Sequence, residues 1–129
     1  MLVAGVSDDF MPMTLEELLA QIRTKPEAVS FADVMDVINT AYEYTPVKFR
    51  NGNLVNEAGE NEGSCRLFAF AKLHGLTEQQ TLHCFGDYYR VDVLGHPSVN
   101  DHQNIRHFMR SGWPGILFDA MPLELKQGG

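Results

Sequence analysis

A chain of 129 residues, 44% of them hydrophobic, is long enough to bury one ordinary core without disulfide or metal staples, and it predicts a single domain. The formal net charge of −7, with ten scattered basic residues, excludes the extended cationic face that neutralises nucleic-acid phosphates. No apolar stretch approaches the roughly eighteen residues that span a bilayer. The start Met1-Leu2-Val3-Ala4-Gly5-Val6 meets Ser7-Asp8-Asp9 too early for a secretory signal, so the two cysteines are expected as reduced thiols in a cytoplasmic setting, with a Cys65–Cys84 bridge left open.

Residues 1–12 show no periodicity and are expected as a loose arm ahead of a domain over 13–121, with 122–129 as a frayed tail. Thr14 and Glu17 form a capping-box pattern, and Leu15, Leu18, Leu19 and Ile22 recur at helical spacing until Lys25-Pro26 stops the helix. Ser30 is expected to cap a second helix running to about Glu43, with Phe31, Val34, Ile38 and Tyr42 as its apolar stripe. Val47-Lys48-Phe49-Arg50, Asn51-Gly52 and Asn53-Leu54-Val55-Asn56 read as a hairpin with a two-residue turn at Asn51-Gly52, which sets Phe49 opposite Leu54.

Two further helices are expected from Cys65 to His74 and from Glu78 to about Tyr89, the second capped by Thr77 with Gln80 in box position. A fifth runs from about His102 to Arg110 and stops at Gly112. Gly115-Ile116-Leu117-Phe118-Asp119 is short and apolar enough for a third strand. The fold class is therefore α+β, a small antiparallel sheet of a hairpin plus one strand packed against about five helices.

Two polar clusters carry the candidate chemistry. In the first, Ser64 is placed as N-cap and Cys65 as the first helical residue, where free N–H groups favour a thiolate and offer an anion pocket. Burial of cysteine as a small hydrophobe is the competing role, favoured by the apolar run that follows. In the second, His102 sits one turn from Arg106. It could act as base to Cys65, with Asp101 orienting it, or be an ordinary core-edge histidine; for Asp101, capping the helix is the favoured role. Arg106 could hold a carboxylate or phosphate by its guanidinium fork, or pair with Glu57, Glu60 or Glu62. The Glu57–Glu62 spacing does not fit a calcium loop, and the five histidines show no zinc-site spacing, so no metal or other cofactor is expected.

Several stretches together resemble one family: Phe31-Ala32-Asp33-Val34-Met35, Phe49-Arg50-Asn51-Gly52, Asn56-Glu57-Ala58-Gly59 with Gly63-Ser64-Cys65, Phe68 through Gly75, Phe85-Gly86-Asp87-Tyr88-Tyr89, and Asp101 through Arg106 with Gly112-Trp113. The chain is similar to HopJ type III effectors from about Thr14 to Phe118. The resemblance implies that Glu57, Ser64, Cys65, Asp101, His102, Asn104 and Arg106 lie in family motif blocks, and that delivery into a host cell by a type III system is the context; it implies no reaction. The leading expectation is a polar cleft between the Asn56–Cys65 loop and the helix after Asp101. There Glu57, Asn61, Ser64, Asn104 and Arg106 would hold a small molecule or a protein partner. The alternative is a thiol-dependent hydrolase or transferase with Cys65 as nucleophile, His102 as base and Asp101 or Asn104 as orienter.

Overall fold

The computed structural model describes residues 13–126. Thr14 starts helix α1 (Leu15–Thr24) as its sequence dictates: its hydroxyl accepts from the Glu17 N–H at 3.1 Å, and the Glu17 carboxylate accepts from the Thr14 N–H at 2.9 Å. Leu18 and Ile22 are the buried face. Ser30 accepts from the Asp33 N–H and caps α2 (Phe31–Ala41), which buries Val34, Val37 and Ile38. The helix stops two residues short of the expected Glu43, because Tyr42–Tyr44 turns into strand β1 and pairs antiparallel with β5 (Leu123–Leu125).

That pairing also corrects the expected fraying from residue 122. Leu123 is buried, the Thr45 N–H donates to the Pro122 carbonyl and the Lys126 N–H to the Ala41 carbonyl. Tyr-Glu-Tyr and Leu-Glu-Leu do alternate at the strand period, but three residues are too few to show it without the partner. The arm expected over 1–12 and the tail beyond Lys126 lie outside the described residues.

Strands β2 (Phe49–Asn51), β3 (Leu54–Asn56) and β4 (Ile116–Phe118) form an antiparallel sheet in the order β3-β2-β4, as the hairpin and the third strand predict. The turn residues are Gly52-Asn53 rather than Asn51-Gly52. Gly52 has φ +62° while Asn53 stays negative, the requirement of a turn with glycine in its first central position. Moving the turn by one residue moves the pairing by two, so Phe49 opposes Asn56 rather than Leu54. Leu54 and Asn56 share a face, so the expected inner side survives and now carries Asn51 and Asn56, both fully buried beside Phe49.

Helix α3 (Glu62–Leu73) begins three residues before the expected Cys65, with Asn61 rather than Ser64 as its N-cap. It is the central helix: Leu67, Phe68, Ala69, Phe70 and Ala71 are all fully buried. Phe68 meets Phe49, Phe85, Phe108 and Trp113 at ring-centroid distances of 5.0 to 6.4 Å. Helix α4 (Glu78–His83) has its expected Thr77–Gln80 box but does not reach Tyr89. Gly86 breaks it at φ +63°, in a spot where a Cβ would come within 2.8 Å of the Phe31 nitrogen. A π-helical segment, Tyr88–Val93, follows. Helix α5 (Gln103–Ser111) ends at Gly112 as expected, and a 3₁₀ turn at Trp113–Gly115 leads into β4. The molecule is one α+β domain in which α5 packs against β2 and β3, while α3 lies against α2, α4 and β5.

Candidate functional site

The two non-glycine residues with positive φ among those described are Asn61 (φ 49°, ψ 50°) and His102 (φ 50°, ψ 49°). Each is the N-cap of a helix, α3 and α5 respectively, and neither helix receives a side-chain cap. A side chain in this left-handed region costs roughly 1–2 kcal/mol. The first N–H groups of both helices are left without intrahelical acceptors. The two helix starts meet at one cleft of about 500 Å³, with Asn61, Gly63 and Ser64 on one side and His102, Gln103 and Asn104 on the other. The remaining wall is apolar, made by Leu54, Ile105 and three aromatic rings. Phe85 stacks on Phe31 at 6.3 Å, Phe31 meets the edge of Tyr88 at 5.2 Å, and Tyr88 lies 5.2 Å from the His102 ring.

Four asparagines hold the two helix starts in place. The Asn56 and Asn104 side chains form a reciprocal amide pair, each donating to the other's Oδ1 at 3.0–3.1 Å. Asn51 Nδ2 donates to the Asn104 carbonyl at 2.7 Å and to its Oδ1 at 3.1 Å. Asn61 Nδ2 donates to Asn56 Oδ1 at 2.7 Å. The inner face of the hairpin thus hooks α5 through Asn104 and α3 through Asn61. One acceptor is left over: Asn51 Oδ1 is buried with no partner among the described residues.

His102 is fixed chiefly by two neighbours that the sequence did not suggest, Asp92 and Tyr88, with Asp101 farther off. Its Nε2 lies 3.0 Å from Asp92 Oδ2 and 3.8 Å from Asp101 Oδ2. Asp92 and Tyr88 both come from the π-helical segment and both touch His102. The wider turn of a π-helix keeps residues four apart on one side. With Nε2–H given to Asp92, the neutral ring presents Nδ1 as an acceptor.

The sequence matches the family described as HopJ type III effector protein over residues 15–123. The chain belongs to that family. A solved crystal structure described as "unknown function protein VPA0580" is 49% identical to it, with a TM-score of 0.88, covering 91% of this chain and 98% of the other. No curated protein matches the chain.

In this HopJ chain the cleft brings together three of the expected site residues with one of the expected catalytic groups: Asn61, Ser64, Asn104 and His102. The others lie elsewhere. Cys65 is buried on α3 among Tyr44 and Val47, and burial pushes its thiol up rather than down; the Tyr44 hydroxyl, Val47 backbone and Arg66 only partly oppose this. Helix-start activation fails because Cys65 stands a full turn inside α3, its N–H already bonded to the Asn61 carbonyl. Cys84 is free and buried too, its thiol pushed up to about 12 by burial.

Among the described residues Arg106 makes no ion pair with Glu57, Glu60 or Glu62. It is almost buried and donates to Asp101 Oδ1 at 2.7 Å and to the carbonyls of Asp101, His96 and Pro97. That set makes it the clasp of the 96–101 loop. Asp101 is its partner and not the helix cap; the hydrogen bond from Arg106 holds its carboxyl below the usual range. Glu57 is exposed, its N–H bonded to the Glu60 carboxylate, and it does not line the cleft. Asn51 and Asn56 were missed as latch residues because the turn was set one residue early, which put Asn51 in the turn; Asp92 and Tyr88 gave no local signal.

Proposed function

We propose that this type III effector-like protein binds a small ligand in the cleft between the starts of α3 and α5. The observation that carries the reading is the convergence on one cavity of two strained N-caps that make no side-chain capping bond. Strain of this kind persists where the surrounding structure holds it, and it concentrates at binding sites. Uncapped N–H groups favour an acceptor or anionic end on the ligand, and the Phe31–Phe85–Tyr88 wall favours a flat apolar body beside it. His102 adds a group that accepts through Nδ1 when neutral and donates when protonated.

The family description supports passage through a type III system, and among the described residues no helix is long and apolar enough to cross a membrane. The thiol-dependent alternative gains nothing from the geometry, since Cys65 is buried, does not line the cleft, and has its thiol pushed up by burial.

Titration of ¹⁵N-labelled protein with benzoate and phenyl phosphate tests the reading. The amides of Glu62, Gly63, Ser64, Gln103 and Asn104 should move together at millimolar ligand, with those of β1 and β5 unmoved. Shifts spread evenly over the surface, or none at these five, would refute it.

A further inference from the structure

The cleft holds one more relationship, and it does not involve a cysteine. Ser64 and His102 line the same cavity. Neither the Ser64 hydroxyl nor His102 Nδ1 has a hydrogen-bond partner among the described residues, whereas His102 Nε2 is 3.0 Å from the Asp92 carboxylate. Ser64 is the third residue of α3, so the N–H groups of Gly63 and Ser64 lie beside its hydroxyl and lack intrahelical acceptors. A carboxylate on one imidazole nitrogen, an open second nitrogen, a hydroxyl in the same cleft and free backbone donors next to that hydroxyl are the four components of acyl transfer to serine.

We propose that Ser64, His102 and Asp92 form an acyl-transfer centre for carboxylic esters or thioesters that carry a flat apolar group. This rests on the cleft being the binding site, and it adds a reaction to it. Ser64 Oγ bonds to the acyl carbon while its proton passes to His102 Nδ1. The bond to the leaving oxygen or sulfur then breaks, and that atom takes the proton from His102. Water repeats the sequence, releasing the acid and restoring the serine hydroxyl. The backbone N–H groups of Gly63 and Ser64 receive the negative charge that develops on the carbonyl oxygen. The apolar group lies against Phe31, Phe85 and Tyr88. Asp92 is a positioning residue: it holds the tautomer that leaves Nδ1 open and stabilises the imidazolium. No direct hydrogen bond joins Ser64 to His102 in this structure, so proton transfer requires the cleft to tighten on substrate or one bridging water, as is common in unliganded sites.

The test needs no natural substrate. An alkyl fluorophosphonate reacts with serines activated in this way, and peptide mass spectrometry locates the adduct. The expected result is an adduct on Ser64, formed at a rate that depends on His102. His102→Ala and His102→Gly, each retaining a cooperative melting transition, should slow it at least 100-fold. Asp92→Asn should slow it about 10-fold and alter the pH profile, with Asp92→Glu restoring much of the rate. An unlabelled Ser64 while phenyl phosphate still moves the cleft amides overturns the acyl-transfer centre and leaves the binding site standing. Labelling that ignores both His102 substitutions overturns it equally. If neither reagent engages the cleft, the binding reading falls as well.

Discussion

Arg106 shows how one side chain separates scaffold from site. Its guanidinium, 9% exposed, satisfies three carbonyls and one carboxylate, so Arg106→Ala would strand several acceptors and free the 96–101 loop. A loss of about 2–4 kcal/mol in urea unfolding is expected; a change below about 0.5 kcal/mol would mean the clasp is ornamental. The titrating residues predict a pH dependence with a definite sign. Burial lowers the pKa of His74, His83 and His107, helped in turn by Arg23, Arg90 and Arg110, with Glu27 opposing at His83. The unfolded chain therefore binds these protons more readily. Their contribution is whole above about pH 6.5 and is lost as the pH falls through the lower folded values. Asp101, depressed by the Arg106 hydrogen bond, adds a second loss below about pH 4. Melting temperatures should fall monotonically from pH 7 to pH 4, and Asp101→Asn should flatten only the acid end.

Among the elements, the asparagine latch joins a hairpin to the start of α5 across separations of 48 and 53 residues and to the start of α3 across five. Asn56→Ala removes three of its bonds at once, and Asn104→Ala removes the reciprocal pair and the longer of the two Asn51 bonds, leaving Asn51 on the Asn104 carbonyl. Each should cost about 2–4 kcal/mol through stranded buried amides. The double variant should cost clearly less than their sum, because both break the same pair. Additive losses in chemical denaturation would show that the amides act independently. The π-helical segment is held as firmly: Arg90 donates to the carbonyls of Pro26, Val29 and His83, which fixes the segment that presents Tyr88 and Asp92. The helices were legible in the sequence where their signals are local, as in the Thr14–Glu17 and Thr77–Gln80 boxes, the Ser30 cap and the Gly112 stop. The start of α3 was not. Serine and cysteine after glycine imitate a capped start, while the actual cap, Asn61, adopts a left-handed backbone and bonds to Asn56, an arrangement with no sequence pattern of its own.

For the whole molecule, what was legible was the α+β class, the HopJ family and the two polar clusters. What was not is how the clusters divide. His102, Ser64, Asn61 and Asn104 share a cleft; Cys65, Asp101, Arg106 and Glu57 serve the core, a loop clasp or the surface. Neighbours in sequence parted because helix α3 turns Ser64 and Cys65 to different sides, a distinction that needs the helix start to be known within one residue. The β1–β5 pair binds the end of the described chain to its middle, and removing Leu123–Leu125 should lower the melting temperature by several degrees through loss of the Leu123 burial and the β1 ladder. The central claim is that a left-handed His102 is kept for the cleft at a cost to stability, and His102→Gly tests it most directly. Glycine adopts that backbone freely, so the melting temperature should hold or rise while the benzoate-induced shifts at Gln103, Asn104 and Ser64 disappear. A lower melting temperature with those shifts intact would contradict the account and make His102 a structural residue.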